Sequence, residues 1–147
     1  MRRLFGTLVM LVWGLWFGGL VALFIAVTSL FHALDRHTAG VGAARIFRVF
    51  NRYQLALAAA GLIAAFFWRV VGPRRFKEAL FTFFCIASVG ACAIAIWIAP
   101  KIAALQAQGL TESPQFGKAH GLSMAIYLAE VAALLLAGIL IPFAREV

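Results

Sequence analysis

The polar residues best placed to do chemistry lie in the last third of the chain, at helical spacing: His120, Ser123, Tyr127 and Glu130. Steps of three, four and three residues put them on one stripe of a helix. Glu130 would lie about 15 Å along the helix axis from His120. An ionisable residue inside an apolar helix is costly and usually faces the interior of a bundle, where it is paired or protonated.

A second stripe is basic and consists of Arg45, Arg48 and Arg52, again at steps of three and four. One interpretation is a face at the membrane boundary whose arginines reach lipid phosphates. The other is an anion-binding or acid-pairing face inside the bundle. Equal depth and opposite charge favour contact between the two stripes, with Glu130 paired to Arg52 or hydrogen-bonded to Asn51. Such contacts would either bind a ligand or only fix the register of the helices.

The three histidines fall at one end of the predicted helices, and two of them, His32 and His120, fall at similar depth. Histidine is a common ligand of haem and of metal ions, and facing helices can hold one cofactor between them. A haem or copper site at His32 and His120 is therefore one hypothesis, although no H-x-x-x-H or C-x-x-C spacing accompanies it. The alternative is that these side chains, with His37, are polar groups near the membrane boundary.

Apolar helices must position these residues, because 65% of the 147 residues are hydrophobic and 12% are charged. A soluble domain is nearer half apolar and a quarter charged. We predict an all-α fold, an integral membrane four-helix bundle of antiparallel up-down helices, formed by a single domain. The helices are expected over about 4-36, 39-71, 74-108 and 114-144, with Thr38 capping the second helix and Gly72-Pro73 ending it.

The first helix carries Gly14 and Gly18, four residues apart in an apolar run. This spacing lets a neighbouring helix approach closely, either from the same chain or from another subunit. A chain of this length is small for a transport path. We therefore expect a homo-oligomer or a place in a larger membrane complex.

The formal charge of +8 comes from lysines and arginines that flank the apolar runs. This pattern favours anionic lipid headgroups as partners, and no nucleic acid. If the N-terminus lies inside, seven basic residues lie on the inner side and six on the outer side. The outer count falls to three if the three arginines of the basic stripe lie within the bundle. We expect cytoplasmic termini and a bacterial inner membrane.

An enzyme is not expected from this chain. It has five acidic residues, no Gly-rich phosphate loop, no G-x-S-x-G and no carboxylate pair beside a histidine.

Three blocks resemble the transmembrane protein 205 family, a four-span domain of unknown biochemical function. They are Trp13-Gly14 with Phe17, Gly19 and Leu23-Phe24; Arg36-His37-Thr38-x-Gly40 with Ile46-Phe47; and Phe116 with His120-Gly121-Leu122-Ser123. Two positions depart from the family pattern: Arg48 stands where a proline is expected, and Tyr127 stands where an asparagine is expected. Any role of that asparagine in the family is thus in doubt here.

The resemblance implies four membrane helices and a loose association with resistance to a platinum drug, which suggests export or metal handling. Copper-resistance membrane domains are more distantly similar. Three functions stay open from the sequence. The chain handles or exports a ligand or metal with the help of His37, His120, Arg45 and Glu130, it is an accessory subunit of a larger membrane complex, or it binds haem.

Overall fold

The computed structural model describes residues 1–71 and 76–146, with the side chains of residues 2, 145 and 146 left out. The described residues form five α-helices: α1 (Arg2–Ala33), α2 (Arg36–Val70), α3 (Lys77–Ala93), α4 (Ala99–Ala107) and α5 (Pro114–Glu146). A π-helical turn, Ile94–Ile98, joins α3 to α4 without a break. The predicted stop at Gly72-Pro73 lies outside the described residues.

Within the described residues, four helical segments are long and apolar enough to cross a membrane: α1, α2, α5 and the continuous segment formed by α3, the π turn and α4. α1 packs against α2 and α5, and α3 packs against the same two helices, so the four segments form a closed ring. This is the predicted all-α membrane bundle. Its outer surface is apolar, as lipid contact requires, with exposed aliphatic side chains such as Ile63, Val89, Leu128 and Ile139.

The turn between α1 and α2 corrects the predicted cap. Asp35, and not Thr38, caps α2, and its carboxylate accepts the amide hydrogens of His37 and Thr38 at 3.1 Å each. Thr38 contributes as a donor: its side-chain and backbone hydrogen bonds hold the pKa of Asp35 below its ordinary value, with a smaller contribution from His37. Because the carboxylate reaches both amides, the cap lies three residues before the predicted one, and the helix begins at Arg36.

The π turn has a local cause in Pro100. Proline has no N–H, so the carbonyl four residues before it lacks its usual helical donor. The amide of Ala99 donates to the carbonyl of Ile94, five residues back, which widens the turn and lets the segment continue. A proline inside a helix usually kinks or breaks it, and here the π turn accommodates it.

Large buried rings at the centre of the bundle meet glycines on neighbouring helices. Trp16 packs edge-on against Phe84 at 6.3 Å between ring centroids, and the Phe84 ring covers Gly61. The Trp13 ring covers Gly138, and its indole N–H donates to the Leu134 carbonyl at 2.6 Å. Membrane helices commonly use small residues in this way, because packing, and not water exclusion, holds them together.

The predicted glycine pair of α1 makes no such approach within the chain. Gly14 and Gly18 are both exposed, and an ideal Cβ at either position would meet nothing within 4 Å. The close contact of α1 with α2 forms instead at Gly19, whose Cβ would lie 3.2 Å from the rings of Phe50 and Tyr53. Contact of Gly14 and Gly18 with another subunit stays a prediction.

Candidate functional site

Among the buried polar side chains of the described residues, we call four the polar core: Asn51 and Gln54 of α2, and Tyr127 and Glu130 of α5. Gln54 is 0% exposed, and Tyr127 and Glu130 are each 1% exposed. On each helix the two residues are three apart, so both point to the same side. Polar groups in this position are costly in a membrane and mark a functional site by default.

Tyr127 connects α5 to α2 across the bundle. Its hydroxyl donates to Asn51 Oδ1 at 2.8 Å, and the same oxygen accepts a longer hydrogen bond of 3.4 Å from Gln54 Nε2. The Tyr127 ring lies between Phe24 and Phe47, at centroid distances of 6.1 and 5.7 Å. These aromatic contacts fix the direction of the hydroxyl.

The carboxyl of Glu130 is buried, and neither of its oxygens has a hydrogen-bond partner in the part of the chain that the structure describes. On α3 it lies against Gly90, where an ideal Cβ would be 2.9 Å from both Cγ and Oε1 of Glu130. The missing side chain of Gly90 therefore provides the space that Glu130 occupies.

Two further buried atoms lack partners within residues 1–71 and 76–146, Gln54 Oε1 and Trp16 Nε1. They belong to the adjacent helices α2 and α1. The hydroxyl of Tyr53, the residue before Gln54, donates to the carbonyl of Leu15, the residue before Trp16, at 3.2 Å. Gln54 and Trp16 therefore lie at similar depth in the bundle. Buried polar atoms are normally hydrogen-bonded. One donor and three acceptor oxygens therefore stay open to a proton, a water molecule or a ligand.

The stripe predicted on the last helix is only partly buried. Ser123, Tyr127 and Glu130 face the interior, whereas His120 is exposed and stacks on Phe116 at 6.0 Å between ring centroids. His120 lies in the second turn of α5, three residues before Ser123.

The basic stripe does not face Glu130. Arg45, Arg48 and Arg52 are all exposed, so the hypothesis that Arg52 pairs with Glu130 is wrong. The alternative partner, Asn51, lies inside but bonds to Tyr127 in place of Glu130. With the arginines on the outer face, the charge count for orientation is seven against six, and cytoplasmic termini stay a prediction.

The histidines lie at the surface. His32 is exposed and its Nδ1 lies 2.9 Å from the Thr28 carbonyl, within its own helix, and His37 and His120 are exposed too. Among the described residues, no three or more side chains of His, Cys, Asp or Glu come together as a metal site would require. A cofactor at His32 and His120 stays a prediction.

Sequence reasoning did not include Gln54, Gly90 or Trp16 in the site. The sequence does contain a signal for Gln54, because Gln54, Gly61 and Trp68 are spaced seven residues apart. The structure shows that all three are buried. That spacing keeps the three residues on one face of α2. Gly90 carries no comparable signal, since its role depends on which side chain of α5 lies opposite.

Removing the Tyr127 hydroxyl tests the polar core. Tyr127→Phe is expected to lower the free energy of unfolding by about 0.5–2 kcal/mol, because Asn51 Oδ1 keeps only its longer hydrogen bond. Titration with SDS of the protein in mild detergent would measure this loss in the free energy of unfolding. Tyr53→Phe is the matched control, because that hydroxyl is at an exposed residue and its bond is 3.2 Å long. Equal losses in the two variants would contradict the role given to Tyr127.

Comparison with known proteins gives a family but no activity. A family model described as a domain of unknown function, DUF4149, matches residues 11–111, which includes Asn51, Gln54 and Gly90 but ends before Tyr127 and Glu130. No curated protein and no solved structure matches the chain. These findings do not tie it to the transmembrane protein 205 family in particular. By the family match and the fold together, this chain is a small multi-pass membrane protein that belongs to the DUF4149 family.

Proposed function

We propose that this membrane protein handles a small ligand in the interior of its bundle, and that this ligand is a proton carried by the carboxyl of Glu130. One observation carries the proposal. The Glu130 side chain is 1% exposed, yet both of its carboxyl oxygens lack a hydrogen-bond partner in the described part of the chain. An ionised carboxylate without a partner is very costly in an apolar environment, whereas the neutral acid is far less so.

The groups around Glu130 favour the neutral acid. α1 has no charged residue from Leu4 to Phe31, and Arg52 of α2 is exposed on the outer face. α3 presents Gly90, with its charged residues Lys77 and Glu78 more than three turns away. Tyr127 is the titratable neighbour on α5, and its hydroxyl already donates to Asn51. Among the residues that the structure describes, no cation is thus placed to compensate a negative charge on the carboxyl.

A proton also suits the space better than a larger ligand. The Glu130 side chain lies against Gly90, and Ile126 lies beside the same glycine, so no room is left there for an added Cβ. This close packing leaves little volume for a larger ligand on that side of the carboxyl. A metal ion would need several oxygen, nitrogen or sulfur ligands around it. A proton needs one carboxyl oxygen and no extra volume.

Release of the proton would leave a carboxylate that needs a donor. Tyr127 is one turn away on the same helix, and a small movement that turns its hydroxyl from Asn51 to the carboxylate would supply that donor. Asn51 and Gln54 would then continue this chain of hydrogen bonds from Tyr127 into α2. In this scheme the polar core couples the charge of Glu130 to the contact between α5 and α2.

The finer functions expected from the sequence have no such arrangement in their favour. Membership in the transmembrane protein 205 family, metal export, haem binding and an accessory role in a complex remain hypotheses, as does the absence of enzyme activity. The proposal assigns a binding role to Glu130 and no catalysis.

Carbodiimide labelling in native membranes tests the proposal. A hydrophobic carbodiimide such as dicyclohexylcarbodiimide reacts with protonated carboxyls in apolar surroundings. We expect one adduct, detected by intact mass, that is lost in Glu130→Gln. Glu78→Gln and Glu112→Gln are the matched controls, because both residues are exposed, and they should keep the adduct. An adduct that persists in Glu130→Gln, or that is mapped to another carboxyl, would contradict the proposal.

A further inference from the structure

Three arginines on the outside of α2 have no anionic partner in the chain as described. Arg45, Arg48 and Arg52 are exposed, and no carboxylate in the described residues pairs with any of them. The arginine near the other end of α2 differs. The Arg69 guanidinium lies over the Phe81 ring at 4.8 Å and over the Phe66 ring at 5.6 Å. We call Arg45, Arg48 and Arg52 the arginine stripe.

The face of α2 that carries the arginine stripe continues as an apolar surface. Beyond Arg52, the same side of the helix presents Ala59, Ile63 and Val70, and the last two are 59% and 56% exposed. Arg36 is nine residues before Arg45, which puts it on the opposite side of the helix. One continuous surface thus combines guanidinium groups at one end with aliphatic side chains along the rest.

The length of this surface matches the hydrocarbon core of the bilayer. From Arg52 to Val70 the helix rises about 27 Å, close to the hydrocarbon thickness of about 30 Å. With Val70 near one boundary of the hydrocarbon, Arg52 lies near the other boundary, and Arg45 and Arg48 lie at headgroup depth. Ile63 is about 16 Å from Arg52, which is about the length of an acyl chain in one leaflet.

We propose that the arginine stripe and the apolar surface beside it form a binding site for an anionic phospholipid. The guanidinium groups would donate to the phosphate, which arginine recognises through paired N–H groups. The acyl chains would lie along Ala59 and Ile63. A free phosphate would use the arginines but not the exposed aliphatic surface that continues from them, so the combination favours a lipid.

Native mass spectrometry of the full chain in detergent tests this site. With phosphatidylglycerol and phosphatidylcholine supplied in equal amounts, the wild type is expected to retain phosphatidylglycerol preferentially. Each arginine at a membrane surface contributes about fivefold in affinity, so Arg45→Gln/Arg48→Gln/Arg52→Gln should weaken phosphatidylglycerol binding on the order of a hundredfold. Arg36→Gln is the matched control and should bind as the wild type does.

Circular dichroism would confirm that each variant keeps its helices. If the triple variant does not fold, the single variant Arg48→Gln tests the same point, with an expected loss of about fivefold. The proposal is overturned if the wild type shows no preference between the two lipids, or if Arg36→Gln loses as much as Arg48→Gln. It is also overturned if millimolar inorganic phosphate displaces the lipid, or if an acidic membrane protein occupies the arginine stripe in its place.

Discussion

Replacing Gly61 by alanine is expected to lower the free energy of unfolding by about 1–3 kcal/mol. A Cβ at this position would lie 2.6 Å from Cε1 and 2.7 Å from Cδ1 of Phe84, and 3.2 Å from Cγ1 of Val12. The Phe84 ring cannot move away easily, because it is fully buried and packs against Trp16. The added methyl must therefore separate α2 from α3. SDS titration in detergent micelles would measure the loss.

Gly121→Ala is the matched control for this prediction. Gly121 is also helical, but it is exposed, and its Cβ would meet nothing within 4 Å. Alanine favours a helix over glycine by up to about 1 kcal/mol, so this variant should be as stable as the wild type or more so. A Gly61→Ala protein as stable as Gly121→Ala would show that α2 and α3 do not pack as described.

Gly90→Ala is expected to act on the site itself, because the added methyl would lie 2.9 Å from Cγ and Oε1 of Glu130. We expect a loss of about 1–2 kcal/mol in the free energy of unfolding. Combining it with Glu130→Ala should restore part of this loss, since the double variant removes the group that the methyl meets. The coupling energy between the two positions should be about 1 kcal/mol.

The recovery of stability should be only partial, because the added methyl at position 90 would also lie 3.2 Å from Cγ2 of Ile126. Gly90→Ala combined with Glu78→Ala is the control, because Glu78 is exposed and distant in the helix, and these effects should add to within about 0.5 kcal/mol. Equal coupling in the two pairs would mean that Glu130 does not lie against Gly90.

The membrane bundle follows from composition and charge spacing, because long apolar runs cannot be hidden in a soluble chain of this size. The ends of the helices depend on finer chemistry. Asp35 and Thr38 are both good cap residues, and only the geometry of the turn shows that Asp35 accepts both amides. The π turn at Ile94–Ile98 likewise depends on how the backbone absorbs Pro100.

The site was only half predictable for a related reason. Glu130 was expected to face the interior because a carboxyl is costly in lipid, and it lies there. Its expected partner was chosen from depth and charge, but depth does not specify which side of α2 faces inward. The large buried residues Phe50 and Trp68 turn the face of Gln54 towards the core, and this leaves Arg52 outside. The packing of large side chains therefore determines which side of α2 faces inward, and charge complementarity had favoured the other side.

The infrared spectrum of the protein in lipid at neutral pH tests the central claim most directly. The carbonyl stretching band of a protonated carboxyl should be present in the wild type and in Glu112→Gln, and absent in Glu130→Gln. That result would show that Glu130 carries a proton in the interior of the bundle. A wild-type spectrum with carboxylate bands alone, unchanged by Glu130→Gln, would contradict the claim.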